Sequence, residues 1–567
     1  MHKLLLALAI YLVPCLSTAA NQYVISTDSI HRHIAILASD SLEGRETGEP
    51  GEWKAAQYIT RVFGAAGLQP NGDNGTFLQA FEFIKRIDPG PKNRLVLNGQ
   101  DLKISEEFQP LPQSANGPFS FDQVVDVNYG IVTEDSTYND YAGKDITGKA
   151  VLVRRFAPSA ESNPHVDFDK YSSLSDKISS AVNRKAAAIL FLTPSDKDDT
   201  LPATGATHMA AKDIPIVFIR RAALERLGLN LDSPDIRSVS GETELIRVRD
   251  TGYNVLGLVR GRSDTTIVVG AHYDHLGWGG INSRYQGTEK KIHYGADDNG
   301  SGSAGLLELS RYFASRKEQL HHSVLFMAFS GEEEGILGSS YFAKHPTINV
   351  SRILMMANMD MIGRLRDQES GLAIFGTGTA AEFKSYFDSL KVDSLKLTFR
   401  EPGTGPSDHT AFYNQGIPVL HFFTGAHEDY HRPEDVVEKI DLNGVATVAN
   451  LVADVVTHFD GQTASLTFQK TKDPDEGKRR SSFSVTLGIM PDYVAEVKGV
   501  KVDGVSPDKP AERAGILKGD VIFRMGSFAI EDIYGYMSAL GKFKKGDSTV
   551  ISLERGTDTL EVTVVFK

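Results

Sequence analysis

The sequence predicts an α/β protein. Its main body is a mainly parallel central sheet with helices on both faces, and two smaller β-rich units accompany it. Three observations predict this. Continuous apolar runs at residues 267–271, 324–329, 353–361, 373–376 and 419–423 alternate with helix-forming segments between Asn254 and Phe459. Strands buried on both faces read as unbroken apolar runs, and parallel neighbours need crossover helices. The pattern changes at Pro110, Pro112 and Pro118, and again at a polar stretch over 462–480. Finally, 567 residues exceed a single core, since about 100–200 residues per domain implies three or four domains.

The chain opens with a secretion signal over 1–19. His2 and Lys3 precede an apolar run at 4–13, and Ser17, Thr18 and Ala19 supply small residues for cleavage. The run falls well short of the ~20 residues that span a bilayer. The only cysteine, Cys15, lies inside this signal. Residues 12–15 faintly resemble a lipoprotein signal, but Pro14 fits one poorly, so a lipid anchor ranks second. The mature chain therefore has no disulfide and no thiolate ligand, and any metal must use His, Asp and Glu. No other stretch is long and apolar enough to cross a membrane, so the expectation is an exported protein, periplasmic or secreted. A formal net charge of −13 argues against a nucleic-acid partner.

Residues 20–117 read as the N-terminal part of the main domain. They hold amphipathic helices at 30–36 and 52–63, a polar loop at 40–45, a turn at 71–75 and a strand at 76–83. Residues 118–247 follow their own logic, with strands at 150–153, 186–192 and 214–219 and helices at 177–185 and 222–227. This segment resembles a protease-associated domain, a β-rich module inserted in peptidases. It lacks a cluster of catalytic groups, which suggests a cover or substrate lid. The main domain runs over 248–461 and a linker over 462–482.

Residues 483–567 form the last unit. Leu487-Gly488-Ile489 and the stretch 506–522 resemble a PDZ domain. That resemblance implies a loop whose backbone amides capture a peptide C-terminus, the peptide adding as a strand. A PDZ fold that only packs on its neighbour is the alternative.

Function in a doubly covered parallel sheet gathers at the carboxyl ends of the strands. His272 follows the first apolar run. Asp297 and Asp298 sit in the glycine-rich turn 295–302, Glu332-Glu333-Glu334 follow the second run, Asp360 lies among methionines, and His431 lies beyond the last strand. A carboxylate in apolar surroundings needs a partner or a metal. Two histidines with three carboxylates suit zinc through nitrogen and oxygen ligands, and are too nitrogen-rich for magnesium or calcium.

These residues in this order resemble the M28 peptidases, zinc aminopeptidases and their relatives. The likeness runs through 270–277, 331–339, 431–435 and the N-terminal 39–45. It implies two Zn2+ per chain, with Asp297 as the ligand shared by both. His272 and Asp360 would complete one site, and Glu333 and His431 the other. Glu332 would be the general base, the register fixed by Gly335 standing one residue beyond the ligand glutamate. Asp274 would orient His272. Asp298 would be a geometric support following a cis peptide bond at 297–298. Asp408 and His409 would line the cleft or serve as structural hydrogen-bonding groups. His275, His293, His321, His322 and His427 would lie outside the ligand set.

The function implied is an exported dizinc aminopeptidase acting on peptide or protein substrates. A carboxypeptidase or dipeptidase would share every ligand and differ in the groups that recognise the substrate terminus. A catalytically silent peptide-binding relative is the reading from another class.

Overall fold

The computed structural model describes residues 23–133, 137–158, 168, 171–200, 211–280, 282–365, 371–390, 395–461, 466–472, 485–491, 497–505, 509–530, 533–540, 542–543 and 546–566. The expected secretion signal, with Cys15, lies outside these residues, as does most of the expected linker.

The chain enters through two helices. Thr27–Leu37 buries Ile30, Ile34 and Leu37 along one face and carries Asp28 in its first turn, the spacing and charge that suit an amphipathic helix and its dipole. Pro50–Ala66 starts on a proline and ends at Gly67 in the left-handed region.

Strand pairing then assembles a nine-stranded sheet. At its centre Ser323–Phe329, Thr266–His272, Ile353–Met359 and Val419–Phe423 run parallel. Leu245–Val259 flanks this group antiparallel on one side. Leu372–Phe375 does so on the other and pairs in parallel with Leu397–Arg400. The three longest central strands are buried at every position, as their unbroken apolar sequence requires. Helices Thr27–Leu37, Pro50–Ala66, Gly300–Ala314 and Leu442–Asp460 pack on one face. Leu337–Lys344 and His409–Tyr413 pack on the other, through Phe342, Ala411, Phe412 and Tyr413. Among the described residues no helix is long and apolar enough to cross a membrane.

Two long strands, Leu78–Pro89 and Leu245–Val259, pair antiparallel from Val255↔Leu78 to Leu245↔Pro89. They run from the main sheet to a separate unit of a four-stranded and a five-stranded sheet. The unit starts earlier than residue 118. Arg94–Leu97 pairs with Val239–Thr243, and Phe108–Pro110 pairs with Ile216–Ile219. These strands lie before residue 118, but their backbone groups find partners only in the inserted sheets. The C-terminal unit has its own core around Leu487, Val502, Ile522, Ile551 and Leu553. Its Leu487 is buried, Gly488 has φ +81° with its N–H on the Thr486 hydroxyl at 3.0 Å, and Ile489 begins the strand Ile489–Pro491.

Gly51 locks the second helix onto the turn before it. A Cβ there would lie 1.9 Å from the Leu42 carbonyl oxygen, whereas one at exposed Gly64 would meet its nearest neighbour at 4.0 Å. Thermal melts should show Gly51→Ala destabilised by ~1–3 kcal/mol through overpacking. Gly64→Ala should gain ~0.5–1 kcal/mol from helix propensity.

Candidate metal centre

The central parallel strands deliver their ends to one edge at nearly one level. His272, the last residue of its strand, pairs with Phe329, the last of the next. Glu332 and Glu333 follow Phe329, Asp360 follows Met359 directly, and Val419–Phe423 leads to the loop that carries His431 at φ +57°. The turn 295–300 feeds the helix Gly300–Ala314, whose N-cap Asn299 accepts a hydrogen bond from the Gly302 N–H.

Asp298 stands at the centre. Its Oδ1 lies 3.3 Å from His272 Nε2 and its Oδ2 lies 3.3 Å from His431 Nε2. His272 Nε2 is also 3.3 Å from Asp360 Oδ1 and 4.0 Å from Glu332 Oε2. His431 Nε2 is 3.0 Å from Glu333 Oε2. Both imidazoles have their other nitrogen engaged. His272 Nδ1 faces the Asp274 carbonyl at 3.3 Å, and His431 Nδ1 faces the Asn282 carbonyl at 2.9 Å. Carbonyls only accept, so both Nδ1 atoms donate, and both Nε2 atoms face the carboxylates.

Asp298, and not the expected Asp297, therefore lies between the two histidines. Asp297 Oδ1 accepts from the Gly363 N–H at 2.7 Å and the Ser301 hydroxyl at 2.8 Å, and its Oδ2 sits 3.1 Å from His427 Nε2. Neighbouring side chains in a tight turn diverge, so Asp297 faces the interior while Asp298 faces the cluster. The cis peptide bond moves with it, to Asp298–Asn299 rather than 297–298.

A second layer holds the first. Asp274 accepts from the Glu332 and Glu333 N–H groups at 3.2 and 3.3 Å and from the Thr47 hydroxyl at 3.1 Å, and its Oδ1 lies 3.5 Å from His272 Nδ1. Asp435 Oδ2 accepts from the Asp297 and Asp298 N–H groups at 2.9 and 3.0 Å. Arg45 is wholly buried. It donates to the carbonyls of Tyr273, Leu37, Tyr294 and Gly295 at 2.6–3.0 Å. Burial lowers its pKa to about 10, against the opposing charges of Asp274 and Asp298. Asp408 and His409 are fully buried. His409 stacks on His421 at 4.4 Å and 8°, and burial pushes the Asp408 carboxyl up to about 7.

The carboxylates of the cluster and its histidines shift one another's ionisation. Burial works against charge on Asp298, yet His272 and His431 hold it well below the usual carboxylate range. Burial and Asp298 push Glu333 up, but His431 and His275 keep it at about 2. Burial disfavours charge on His431, while Glu333 and Asp298 raise it to about 10. Glu332 differs. Burial lifts it well above its ordinary value, with Asp360, Glu333 and Asp408 adding to the rise and His272 opposing it.

The residues fit zinc. Donors on one tetrahedral zinc, at ~2.0–2.1 Å from the ion, are about 3.3–3.5 Å apart. Three of the separations around Asp298, His272, Asp360 and His431 are 3.3 Å.

His275 was not expected in the cluster, but its Nδ1 lies 2.7 Å from Glu333 Oε1. Its place three residues after His272, in the same strand-end loop, was the available signal. Tyr430 was also missed; its ring stacks on His431 at 3.9 Å, and adjacency to that histidine was the only hint. His427 joins the support of Asp297 and not the cluster. His293 bonds to Ser283 at 2.7 Å, and His322 lies near Ser263 at 3.0 Å, on the loop before the Thr266–His272 strand.

Residues 254–456 match the model of peptidase family M28, and residues 482–565 match that of the PDZ domain. Aminopeptidase YwaD of Bacillus subtilis (strain 168) is 26% identical over 293 residues, covering 49% of this chain and 58% of its own. A probable leucine aminopeptidase of Trichophyton verrucosum (strain HKI 0517) is 28% identical over 223 residues, covering 37% and 56%. The chain thus spans a little over half the length of these curated relatives. Among solved structures, an aminopeptidase from Aneurinibacillus sp. strain AM-1 has a TM-score of 0.46 and 21% identity, covering 79% of this chain and 97% of its own. BSAP, a zinc aminopeptidase from Bacillus subtilis, has a TM-score of 0.44 and 21% identity, covering 80% and 98%.

Asp435→Ala should strip the acceptor from two buried N–H groups. An unsatisfied buried donor costs ~1–3 kcal/mol, so denaturant melts should show a loss of ~2–6 kcal/mol for the two. Asp435→Asn, which keeps an acceptor oxygen, should lose less.

Proposed function

Residues 254–456 form a peptidase family M28 domain and residues 482–565 a PDZ domain, and from this premise we propose that the protein is an exported dizinc aminopeptidase. The observation that carries the proposal is Asp298, whose two oxygens each face the Nε2 of a different histidine at 3.3 Å. His272 and Asp360 would hold one Zn2+, His431 and Glu333 the other, and Asp298 would serve both. When bound, the two ions would supply Lewis acidity for the scissile carbonyl and for the attacking water.

The chain's own residues do the rest. Glu332 lies 4.0 Å from His272 Nε2 and makes no close contact with the Nε2 of either histidine. It is free to take the proton of the attacking water and pass it to the leaving amine. Asp274 fixes His272 and the two glutamate N–H groups together, so the base and the ligands keep one geometry. Arg45 binds the His272 and Asp298 loops to the N-terminal segment through their carbonyls.

Cleavage at the N-terminus is supported by the names of the curated relatives. The inserted unit would act as a protease-associated cover over peptide or protein substrates. The PDZ loop at Leu487, Gly488 and Ile489 would receive peptide C-termini. The signal-like residues 1–19 support export to the periplasm or the medium.

Hydrolysis of a peptide library, with and without a chelator, tests the reading. Loss of N-terminal residues only in the absence of chelator is expected. Trimming from the C-terminus, or turnover that survives chelation, would overturn it. Glu332→Gln should keep two zinc ions per chain by elemental analysis while kcat falls ~10²–10⁴-fold. Asp298→Asn should lose both ions, and Asp297→Asn should retain them.

A further inference from the structure

We propose that His275 is a positioning residue, which holds Glu333 by one carboxylate oxygen so that only the other is left for the ion beside His431. The proposal rests on the dizinc reading and concerns this chain's own residues.

His275 is 1% exposed. Its backbone N–H donates to the Arg45 carbonyl at 3.2 Å, and its ring lies against Gly295, where a Cβ would come within 2.6 Å of its Cγ and Cδ2. On another side it meets the His431 ring at 5.9 Å and 72°. The ring is thus wedged in one orientation, with Nδ1 aimed at Glu333 Oε1.

The same three residues, His275, Asp298 and Glu333, also bring ligand-type atoms close enough to surround an ion. The shorter spacing favours support for His275, since His431 Nε2 stands 3.0 Å from Glu333 and His275 Nδ1 only 2.7 Å. Two donors on one tetrahedral zinc sit about 3.3–3.5 Å apart. Nδ1 and Oε1 are 2.7 Å apart, which is the length of a charge-assisted hydrogen bond. A carboxylate only accepts, so Nδ1 carries the proton and has no lone pair to offer.

Glu333 is then fixed at both ends. Its N–H is on Asp274 at 3.3 Å, its carbonyl accepts from Asn282 Nδ2 at 3.1 Å, and Oε1 is held by His275. Oε2 alone faces His431, at 3.0 Å. Binding through Oε2 alone is favoured, and the second ion depends on His275 while the first does not.

The test is zinc titration of the metal-stripped full-length protein against a chromophoric chelator. Wild type should take up two ions. His275→Ala should bind the first ion as wild type does and the second 10–100-fold more weakly, the usual effect of losing a group that orients a ligand. His275→Asn places an amide N–H where Nδ1 stood and should restore the second ion. Retention of the wild-type first-ion affinity is the internal check that a variant is folded. Unchanged affinity for both ions in His275→Ala would overturn the proposal. So would loss of the second ion in His275→Asn, which would make the imidazole itself a ligand. A wild-type chain that takes up fewer than two ions would overturn the dizinc reading, and the role of His275 with it.

Discussion

Withdrawal of negative charge from water at one edge of one sheet is the constraint on which the rest of the structure depends. Asp274, Asp297, Asp298, Asp408 and Asp435 are all buried there. Each buried carboxylate costs several kcal/mol unless it is compensated, and the surrounding backbone is arranged to compensate it. N–H groups of Glu332 and Glu333 point at Asp274, those of Asp297 and Asp298 at Asp435, and that of Gly363 at Asp297. Two buried guanidinium groups, Arg45 and Arg364, stand behind these loops. Backbone compensation reaches Asp274, Asp297 and Asp435. It is left to the histidines for Asp298, Glu333 and Asp360, which is where cations fit.

The two guanidinium groups act differently. Arg364 meets carboxylates, Asp429 and Asp435, and neutralises charge directly. Arg45 meets only carbonyls, so its charge is balanced at longer range by the site acids while its hydrogen bonds tie four backbone segments together. The N-terminal segment is thereby part of the site, although more than 200 residues separate Arg45 from His272. Glu52 extends this layer. It accepts from the Ser330 hydroxyl, the Tyr253 N–H and the Tyr273 hydroxyl at 2.7–3.0 Å, and burial raises it to about 7. The helix Pro50–Ala66 is joined in this way to the strand ends that carry His272 and Glu332.

The peripheral units leave this arrangement undisturbed. The inserted unit is reached through the antiparallel pair Leu78–Pro89 and Leu245–Val259, and its cores are distinct from that of the main sheet. The loop 276–293 turns back to the site, where the Asn282 carbonyl fixes His431 Nδ1 and the Asn282 amide reaches the Glu333 carbonyl. Support for the second half of the site therefore comes from a loop, whereas the first half rests on strand ends. Site precision is higher on regular elements than on loops, so His275 and Asn282 matter most on the loop side.

The sequence by itself determined the parallel strands, because strands buried on both faces must be apolar at every position. It also determined which segments end in His, Asp or Glu, and so where the site would lie. His272, Asp360 and His431 stand one to a strand end, where chain order alone tells them apart, while Glu332 and Glu333 share one and are told apart by their distance from Gly335. It could not separate Asp297 from Asp298. Both are carboxylates in one glycine-rich turn, and only the path into the Gly300–Ala314 helix decides which faces the cluster and which faces Gly363. It could not place His275 either, since a histidine after a strand meets Glu333 only once two strand ends lie side by side. The start of the inserted unit near residue 94 was likewise hidden. Composition changes at the prolines, but membership of a sheet is set by hydrogen bonds to strands more than 100 residues away. Tertiary structure alone decided these points, because each depends on a partner that the local sequence does not contain.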